Sequence, residues 1–210
     1  MALAELCAAG RDSVAALLTT VTAEYDRVSV HGVRRELLRR QADAVGLPLE
    51  EAVIPAACTN ETYEEAFRAA LMRLENSLPD VRAVAFGDLF LEDVRQYRER
   101  QFAALARPLV FPIWGRDTSE LARQFITSGY EAILVCVDTQ ALPASFAGRS
   151  FDAVLLDDLP AGVDPCGENG EFHTFVTKGP AFARPIAVER GETVLREGRF
   201  AYCDLIGLPS

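Results

Sequence analysis

The chain has 210 residues, half of them hydrophobic and a quarter charged, as expected of a globular protein with one large or two small domains. Its formal net charge of −10 argues against nucleic acid or an anionic membrane surface as the main partner, because both require a basic face. No apolar run approaches the roughly 20 residues that span a bilayer. The first residues carry Glu5 and no basic leader, and the five cysteines are widely spaced, so we expect a cytoplasmic protein with reduced thiols.

The first half of the chain predicts strands that alternate with helices. The predicted strands are residues 3–7, 27–30, 53–55 and 81–86. The predicted helices are residues 13–20, 33–45, 63–74 and 90–105. The helix at 63–74 has the clearest apolar periodicity, and Thr62 with Glu65 predicts a capping box at its start. Gly46 is expected to end the helix before it.

The second half changes character along its length. Asp117 is expected to cap a helix that ends at Gly129, and residues 132–137 form a continuous apolar run typical of a buried parallel strand. Beyond residue 162, short apolar runs are separated by glycine turns, which predicts an antiparallel cap. These runs are residues 171–177, 185–188, 193–196 and 200–205. The whole pattern predicts an α/β fold with a domain boundary near residue 106.

Residues 164–176, the signature segment, hold most of the chemistry of the chain. The segment reads Asp-Pro-Cys-Gly-Glu-Asn-Gly-Glu-Phe-His-Thr-Phe-Val. Its glycines permit a tight approach to a ligand. Glu168 and Glu171 could hold an amine or ammonia, bind Mg²⁺ or act as a general base. Histidine ordinarily titrates near neutrality, so His173 is expected to transfer a proton, and these three residues are the candidate catalytic groups.

Three other interpretations of this segment stay open. A zinc site through Cys166 and His173 would need two more ligands, and the remaining candidates lack finger-like spacing. A Cys–His nucleophilic pair has no third supporting group in the sequence. A purely structural glycine-turn hairpin explains the glycines but not two glutamates and a histidine beside them.

Near the N-terminus, residues 10–13 read Gly-Arg-Asp-Ser between a predicted strand and a predicted helix. Such a turn can bind phosphate, because backbone N–H groups at a helix start point toward the ligand. Gly10 would allow close approach and Arg11 could donate to phosphate oxygens. Asp12 could help to hold Mg²⁺, and Ser13 offers a hydroxyl. Taken alone, the four residues equally fit an ordinary turn and helix cap.

The order Gly-Glu-Asn-Gly-Glu-Phe-His-Thr at residues 167–174 resembles the C-terminal signature of the diphthine–ammonia ligase family, a branch of the PP-loop ATP pyrophosphatases. That family has a Ser-Gly-Gly-Lys-Asp-Ser loop or one close to it. Gly10, Asp12 and Ser13 match it, whereas Arg11 replaces lysine and Ala8 and Ala9 replace the leading residues. The resemblance implies ATP as the cofactor, with Mg²⁺ held in part by Asp12.

The resemblance also covers the middle of the chain. Residues 27–37 are similar to a strand–turn–helix of bacterial family members, which makes Val30 and His31 candidate nucleotide contacts. His31 could equally make only a structural hydrogen bond. Residues 87–95 are similar to the central block of the family, and Asp88 follows a predicted strand at the edge where sites form.

The resemblance implies a Rossmann-like (HUP/PP-loop) parallel sheet with helices on both faces in residues 1–106, and a smaller C-terminal α+β domain in residues 107–210. It implies an AMP-forming ligase that adenylates a small-molecule or protein-borne carboxylate, releases pyrophosphate and forms an amide with ammonia or an amine. The alternative is a nucleotide-binding or sensing protein with impaired catalysis, suggested by Ala8, Ala9 and Arg11. A homodimer is compatible with the sequence.

The acceptor is expected to differ from diphthine. Lys178 is the only lysine, a bias typical of GC-rich bacterial genomes, whereas diphthamide is made in archaea and eukaryotes.

Overall fold

The computed structural model describes residues 1–8, 10, 14–103 and 107–209. The helices are α1 (Ala2–Ala8), α2 (Arg35–Val45), α3 (Asn60–Ser77), α4 (Glu92–Ala103), α5 (Thr118–Thr127) and α6 (Ala153–Asp158). The strands are β1 (Leu17–Thr22), β2 (Arg27–Val28), β3 (Leu49–Ile54), β4 (Val84–Ala85), β5 (Leu109–Val110), β6 (Glu131–Asp138), β7 (Phe172–Lys178), β8 (Val188–Arg196) and β9 (Phe200–Gly207). Single 3₁₀ turns occur at Ala23–Tyr25 and Ala144–Phe146.

Within the described residues, the strands form three sheets. The first has the order β2-β1-β3, with β1 parallel to β3 and antiparallel to β2. Strands β4 and β5 make a separate parallel pair. The third sheet, β7-β6-β9-β8, is antiparallel throughout. The predicted α/β class is confirmed. The parallel strand pairs lie in two separate sheets, and the single Rossmann-like sheet expected from the sequence stays a prediction.

The predicted strand at residues 3–7 and the predicted helix at residues 13–20 are both wrong. Residues 3–7 lie in helix α1, whose sequence consists mainly of the good helix formers Ala, Leu and Glu. Strand β1 begins at Leu17 and contains three threonines and a valine, which favour strands. The local order is therefore helix then strand, the reverse of the order that a phosphate-binding turn requires.

Strand β6 is buried as predicted, but its neighbours β7 and β9 are both antiparallel to it. An apolar run of this kind results whenever both faces of a strand are covered, whatever the direction of its neighbours. One face packs against a cluster that includes Leu142, Phe151 and Leu155. The other face contributes Ile133 and Val135 to a second cluster.

The second cluster joins the two halves of the chain. Helix α2 contributes Val33 at its entrance, Leu37 and Ala44, and these residues pack with side chains of β6, β7 and β9. Leu37 is fully buried in this contact. Gly46 ends α2 in the left-handed conformation, as predicted. The boundary proposed at residue 106 lies outside the described residues and stays a prediction.

Two helix starts illustrate how well capping was predicted. Asp117 caps α5, and its side chain accepts a hydrogen bond of 2.8 Å from the backbone of Glu120. The predicted capping box at Thr62 is wrong, because Thr59 caps α3 and accepts from the N–H of Thr62 at 3.2 Å. Among the described helices, none is both long and apolar enough to cross a membrane.

Candidate functional site

The signature segment forms a compact loop that enters β7. Gly167 and Gly170 have φ angles of 71° and 85°, a region that favours glycine. At Gly167 a Cβ would lie 2.6 Å from the carbonyl oxygen of Phe172, so the loop backbone passes directly against the strand that follows. The buried carboxylate of Asp164 accepts hydrogen bonds from the backbone N–H groups of Cys166 and Glu168, at 3.1 and 2.9 Å.

Glu171 lies inside this loop with only 6% of its surface exposed. Its Oε1 accepts hydrogen bonds of 2.9 Å from the backbone N–H of Asp164 and from the side-chain amide of Asn169. Its Oε2 is buried and has no hydrogen-bond partner among the described residues. Buried polar atoms are rarely left in this state, so we expect a water molecule or a bound donor to meet this oxygen.

Glu168 fastens the loop to the N-terminal half of the chain. Its Oε1 accepts a hydrogen bond of 2.6 Å from the backbone N–H of Leu89. Burial raises the pKa of its carboxyl above the usual range. The neighbouring Asp88 makes a bidentate ion pair with Arg98, at 2.6 and 3.0 Å. Both acids therefore have partners in the protein, unlike Oε2 of Glu171.

The two histidines of the chain meet in space. The ring centroids of His31 and His173 are 4.4 Å apart, with an interplanar angle of 39°. The Nδ1 atom of His31 lies 3.2 Å from the carbonyl oxygen of Ser29. Burial lowers the pKa of both rings, and that of His173 falls to about 4, with repulsion from His31 as a second cause. We call these two residues the histidine pair.

The turn that carries His31 has unusual backbone geometry. Val30 has a φ of 65°, which is a genuine outlier for a β-branched residue, and its side chain is 65% exposed. Gly32 has a φ of 69°, and a Cβ there would lie 2.6 Å from the ring of Tyr202. The turn thus carries one strained residue, Val30, and at Gly32 its backbone lies directly against Tyr202 of β9.

An ion-pair network ties the same turn to β9. Asp204 accepts hydrogen bonds from Arg27 at 2.8 Å and from Arg34 at 2.6 and 3.1 Å. The hydrogen bond from Arg34, followed by that from Arg27, lowers the pKa of the Asp204 carboxyl to about 2. Arg27 also donates to the carbonyl of Gly32 at 2.7 Å, so the network fixes the turn backbone as well as its side chains.

A cavity of about 480 Å³, the turn cavity, opens beside this network at the carboxyl end of β1. Its lining comes from the 22–32 segment and the β8–β9 hairpin. The lining residues are Thr22, Tyr25, Arg27, Val28, Val30, Gly32, Val194, Arg196, Glu197, Tyr202, Cys203 and Asp204. Tyr25 is 65% exposed at its rim. Among the described residues, Arg196 has no ion pair, so it is a basic group free to meet a ligand.

The structure brings some of the predicted site residues together and leaves others apart. His31 and His173 are in contact, and Val30 lines the turn cavity next to them. Glu168 reaches the backbone that follows Asp88. Arg11, Asp12 and Ser13 lie outside the described residues.

Gly10 is described, and its N–H donates to the carbonyl of Cys7 at 3.2 Å. It therefore stabilises the carbonyl end of α1. That end carries partial negative charge, so the predicted strand–loop–helix setting for phosphate is wrong.

Sequence reasoning missed Asp204, Arg27, Arg34 and Tyr202. One signal was present, because Asp204 is a lone acid within the apolar strand β9. The nucleophilic interpretation of Cys166 is contradicted. Its thiol donates to the carbonyl of Thr118, and burial raises its pKa to about 12, so no thiolate forms near neutrality. Within the described part of the chain, no group of three or more His, Cys, Asp or Glu side chains could hold a metal ion.

Comparison with known proteins supports the family resemblance. Residues 117–205 match the model of the Diphthamide synthase C-terminal domain. The chain is 27% identical over 206 residues to the diphthine–ammonia ligase of Rattus norvegicus, covering 88% of this chain and 76% of the relative. The Homo sapiens enzyme is 26% identical over 82% of this chain and 69% of its own length. The Schizosaccharomyces pombe enzyme is 25% identical over 81% of this chain but only 30% of its own length.

Proposed function

Because this chain resembles the diphthine–ammonia ligases over most of its length, we propose that it is an ATP-dependent, AMP-forming enzyme that converts a carboxylate into an amide. The observation that carries the proposal is Oε2 of Glu171, a buried carboxylate oxygen without a hydrogen-bond partner among the described residues. Leaving such an oxygen unpaired costs about 1–3 kcal/mol. Ammonia, ammonium or a primary amine would supply the missing N–H donor.

Three residues of the signature segment would have separate roles around this nitrogen. Glu171 orients the nucleophile through Oε2, and its other oxygen is fixed by Asp164 and Asn169. His173 is the proposed proton acceptor, because burial keeps its imidazole neutral. Glu168 holds the loop against Leu89 and so fixes the position of the segment. Preorganisation of this kind accelerates a reaction by holding the reactants in position.

The turn cavity is the proposed place for the nucleotide and the acyl group. Its volume lies within the range of about 300–1,000 Å³ that is typical of small-molecule sites. Tyr25 and Val30 offer apolar surface to a planar base, and Arg196 could donate to phosphate oxygens. Mg²⁺ would be held mainly by the phosphates with one or two carboxylates, and Asp12 is the proposed protein ligand.

The activated group would be a carboxylate on a small molecule or a protein, and an acceptor other than diphthine is proposed. ATP supplies activation of that carboxylate with loss of pyrophosphate. The direct test incubates the protein with Mg²⁺-ATP, ammonium chloride and a panel of carboxylic acids, and measures the nucleotide products. AMP and pyrophosphate are expected in the presence of the right acid. Formation of ADP and phosphate instead would contradict the proposal.

Nucleotide binding can be tested before the acceptor is known. Mg²⁺-ATP at about 100 times its Kd stabilises a protein by about 2.7 kcal/mol, which raises the Tm of a domain of this size by about 5–10 °C. Arg196→Ala should lose most of this shift, whereas Arg184→Ala, at an exposed position away from the cavity, should keep it. Asp12→Ala tests the proposed magnesium ligand, and a shift unchanged by that substitution would remove Asp12 from the site.

Glu171→Gln tests the proposed role of the Glu171 Oε2 atom directly. We expect it to keep the ATP-dependent shift and to raise the KM for ammonia by about tenfold or more, since a buried charged acceptor becomes a neutral amide. Glu192→Gln, at an exposed position on β8, is the matched control. An unchanged KM for ammonia in Glu171→Gln would contradict the role of Oε2.

A nucleotide-binding protein without catalysis is the second candidate. The observation that favours it is the helix-then-strand order around residues 10–13, which does not provide the usual phosphate-binding turn. This candidate expects the ATP-dependent Tm shift without AMP formation for any carboxylate. The product assay therefore separates the two functions.

A further inference from the structure

We propose that the ion pair between Asp138 and Arg199 is a positioning unit of the amide-forming reaction, because it fixes the separation between Glu171 and Arg196. The inference rests on the proposed function, which puts the attacking nitrogen at Glu171 and phosphate oxygens at Arg196. It is carried by an unbroken series of hydrogen bonds that runs from one of these residues to the other through the pair.

The C-terminal sheet places the four residues in one row across its strands. Asp138, the last residue of β6, is paired with Phe200 at the start of β9, and Phe200 is paired with Arg196 at the end of β8. On the other side of β6 lies Glu171, which directly precedes β7. The sheet order β7-β6-β9-β8 puts three strand spacings between the two ends of the row. At about 4.8 Å for each spacing, the backbones of Glu171 and Arg196 are about 14 Å apart.

Asp138 holds the Glu171 end of this row. It is only 7% exposed, and its backbone N–H donates a hydrogen bond of 2.9 Å to the carbonyl of Glu171. Its Oδ1 accepts from the N–H of Gln140 and from Nε of Arg199, both at 3.0 Å, and its Oδ2 accepts from Nη2 of Arg199 at 2.5 Å. The hydrogen bond from Arg199 lowers the pKa of the Asp138 carboxyl, so the group is ionised at neutral pH. A bidentate pair of this kind is stronger and more directional than a single neutral hydrogen bond.

Arg199 holds the Arg196 end of the row. Its backbone N–H donates to the carbonyl of Arg196 at 2.9 Å and closes the turn between β8 and β9. Glu197 and Gly198, at the centre of that turn, have φ angles of 53° and 63°, as in a type I′ hairpin turn. The carbonyl of Arg199 accepts from the N–H and the hydroxyl of Thr139, at 2.9 and 2.6 Å. The end of β6 is therefore bonded to both the side chain and the backbone of Arg199.

The local contacts of the two proposed half-sites do not set the distance between them. The side chain of Glu171 is held by Asp164 and Asn169, which belong to its own loop. Arg196 lines the turn cavity from the end of β8. Loss of the Asp138–Arg199 pair should leave each half-site able to bind and should misplace one relative to the other. A misplacement of about 1 Å can lower a rate by about 100-fold.

The test measures AMP release with ammonium chloride in Asp138→Asn, Arg199→Gln and Arg199→Lys. Each should lower kcat by about 10- to 100-fold, while the KM for ammonia and the ATP-dependent Tm shift stay at their wild-type values. Carboxylate-dependent exchange of pyrophosphate into ATP should also be unchanged, because no nitrogen attacks in that half-reaction. A purely structural role would instead lower the Tm of the free protein and leave kcat of the folded enzyme unchanged, and that result would overturn the proposal.

Arg199→Lys separates geometry from charge. Lysine keeps the positive charge but cannot form the two parallel bonds to Asp138, so the loss of kcat should remain. Wild-type kcat in this variant would overturn a role that depends on the bidentate geometry. The side chain of Arg199 is 46% exposed, so its variants are expected to fold even where Asp138→Asn, at a buried position, does not.

Glu131→Gln is the matched control. Glu131 begins β6, and its ion pair of 2.7 Å with Lys178 lies at the other end of the same two strands, β6 and β7. This variant should keep wild-type kcat. An equal loss of kcat in Glu131→Gln would mean that any ion pair between these strands has the same effect, and it would overturn the specific role of Asp138 and Arg199.

The double variant Asp138→Asn with Arg199→Gln tests whether the two residues act as one unit. It should lose no more kcat than the more impaired single variant, and losses that multiply would overturn the unit. Failure of the wild type to release AMP with any carboxylate would overturn the proposed function and this role with it. Wild-type turnover with an unchanged kcat in both Arg199 variants would overturn only the positioning role.

Discussion

The two halves of this molecule differ in the length and the pairing of their strands. In the C-terminal region (residues 107–209), the eight-residue strand β6 is buried and paired on both sides. In the N-terminal region (residues 14–103), β2 and β4 contain two residues each. Among the described strands, β4 has one partner, the equally short β5 at Leu109–Val110. The part that matches the domain model is thus the part with the continuous sheet. The signature segment belongs to the regular C-terminal region, and the turn at residues 27–34 is joined to that region by ring contact and ion pairs.

Amide hydrogen exchange should show the largest difference between the C-terminal sheet and the short β4–β5 pair. Amides of β6 should exchange only through global unfolding, which typically requires about 5–15 kcal/mol. Amides of β4 and β5 should exchange through local opening, because a pair of two-residue strands has few cooperative hydrogen bonds. We expect at least about 1,000-fold slower exchange in β6, measured by mass spectrometry or NMR. Equal protection of β6 and of the β4–β5 pair would contradict the expected difference in local stability.

The signature segment should be intolerant of a side chain at one glycine but not at the other. Gly167→Ala should destabilise the protein by about 3–4 kcal/mol, because the left-handed φ is strained and the new Cβ meets the carbonyl of Phe172. Gly170→Ala is the matched control, with a similar φ but nothing within 4 Å of its Cβ, and should cost about 1–2 kcal/mol. Urea unfolding measures both. Equal losses would mean that the contact with Phe172 contributes nothing.

The network that joins the two regions should make stability fall in acid. Arg34 and Arg27 lower the pKa of Asp204 from 3.8 to about 2, so the unfolded state binds the proton first as pH falls. The contribution is complete above about pH 4 and is lost as pH falls toward 2. Allowing for partial exposure, we expect about 1–2 kcal/mol. Asp204→Asn should lose this amount at pH 7 and converge with the wild type near pH 2. A constant difference across that range would contradict the ion pairs.

The smallest expected effect concerns the start of α3 in the N-terminal region. Thr59→Ala should cost about 1 kcal/mol, because its side chain accepts the hydrogen bond that caps the helix. Thr62→Ala should cost less, since its backbone N–H still reaches Thr59 and only an exposed hydrogen bond between the two hydroxyls is lost. Thermal unfolding of the two variants compares them directly. A larger loss in Thr62→Ala would restore the capping box that the sequence predicts.

The sequence predicted long periodic elements well and short ones poorly. Helices α2, α3 and α5 have apolar faces over several turns, and each was found close to its expected range. The seven residues of α1 are too short for periodicity to decide between helix and strand, and the expected phosphate loop favoured the wrong choice. The direction of the strands beside β6 was also not predictable, because burial of both faces gives the same apolar run in either case.

The sequence identified candidate site residues only where they lie close together along the chain. Glu171 and His173 were identified as candidates from the glycine-rich segment that holds them. The buried state of Glu171 Oε2 depends on hydrogen bonds within that loop, which a motif does not reveal. The contact between His31 and His173 and the bonds from Arg34 to Asp204 join distant parts of the chain. No pattern in one sequence predicts such pairs.

The core shared by α2 and the C-terminal sheet also constrains how the chain folds as it is synthesised. Arg34, at the start of α2, is separated by 170 residues from its partner Asp204. At a synthesis rate of about 5–20 residues per second, α2 leaves the ribosome roughly 10–30 s before β9 exists. During that interval the apolar face around Leu37 can pack against residues of β6 and β7 as they appear, but it lacks Cys203 and Leu205 of β9. The core around α2 is therefore completed only after β9 has been made, late in the synthesis of the described residues.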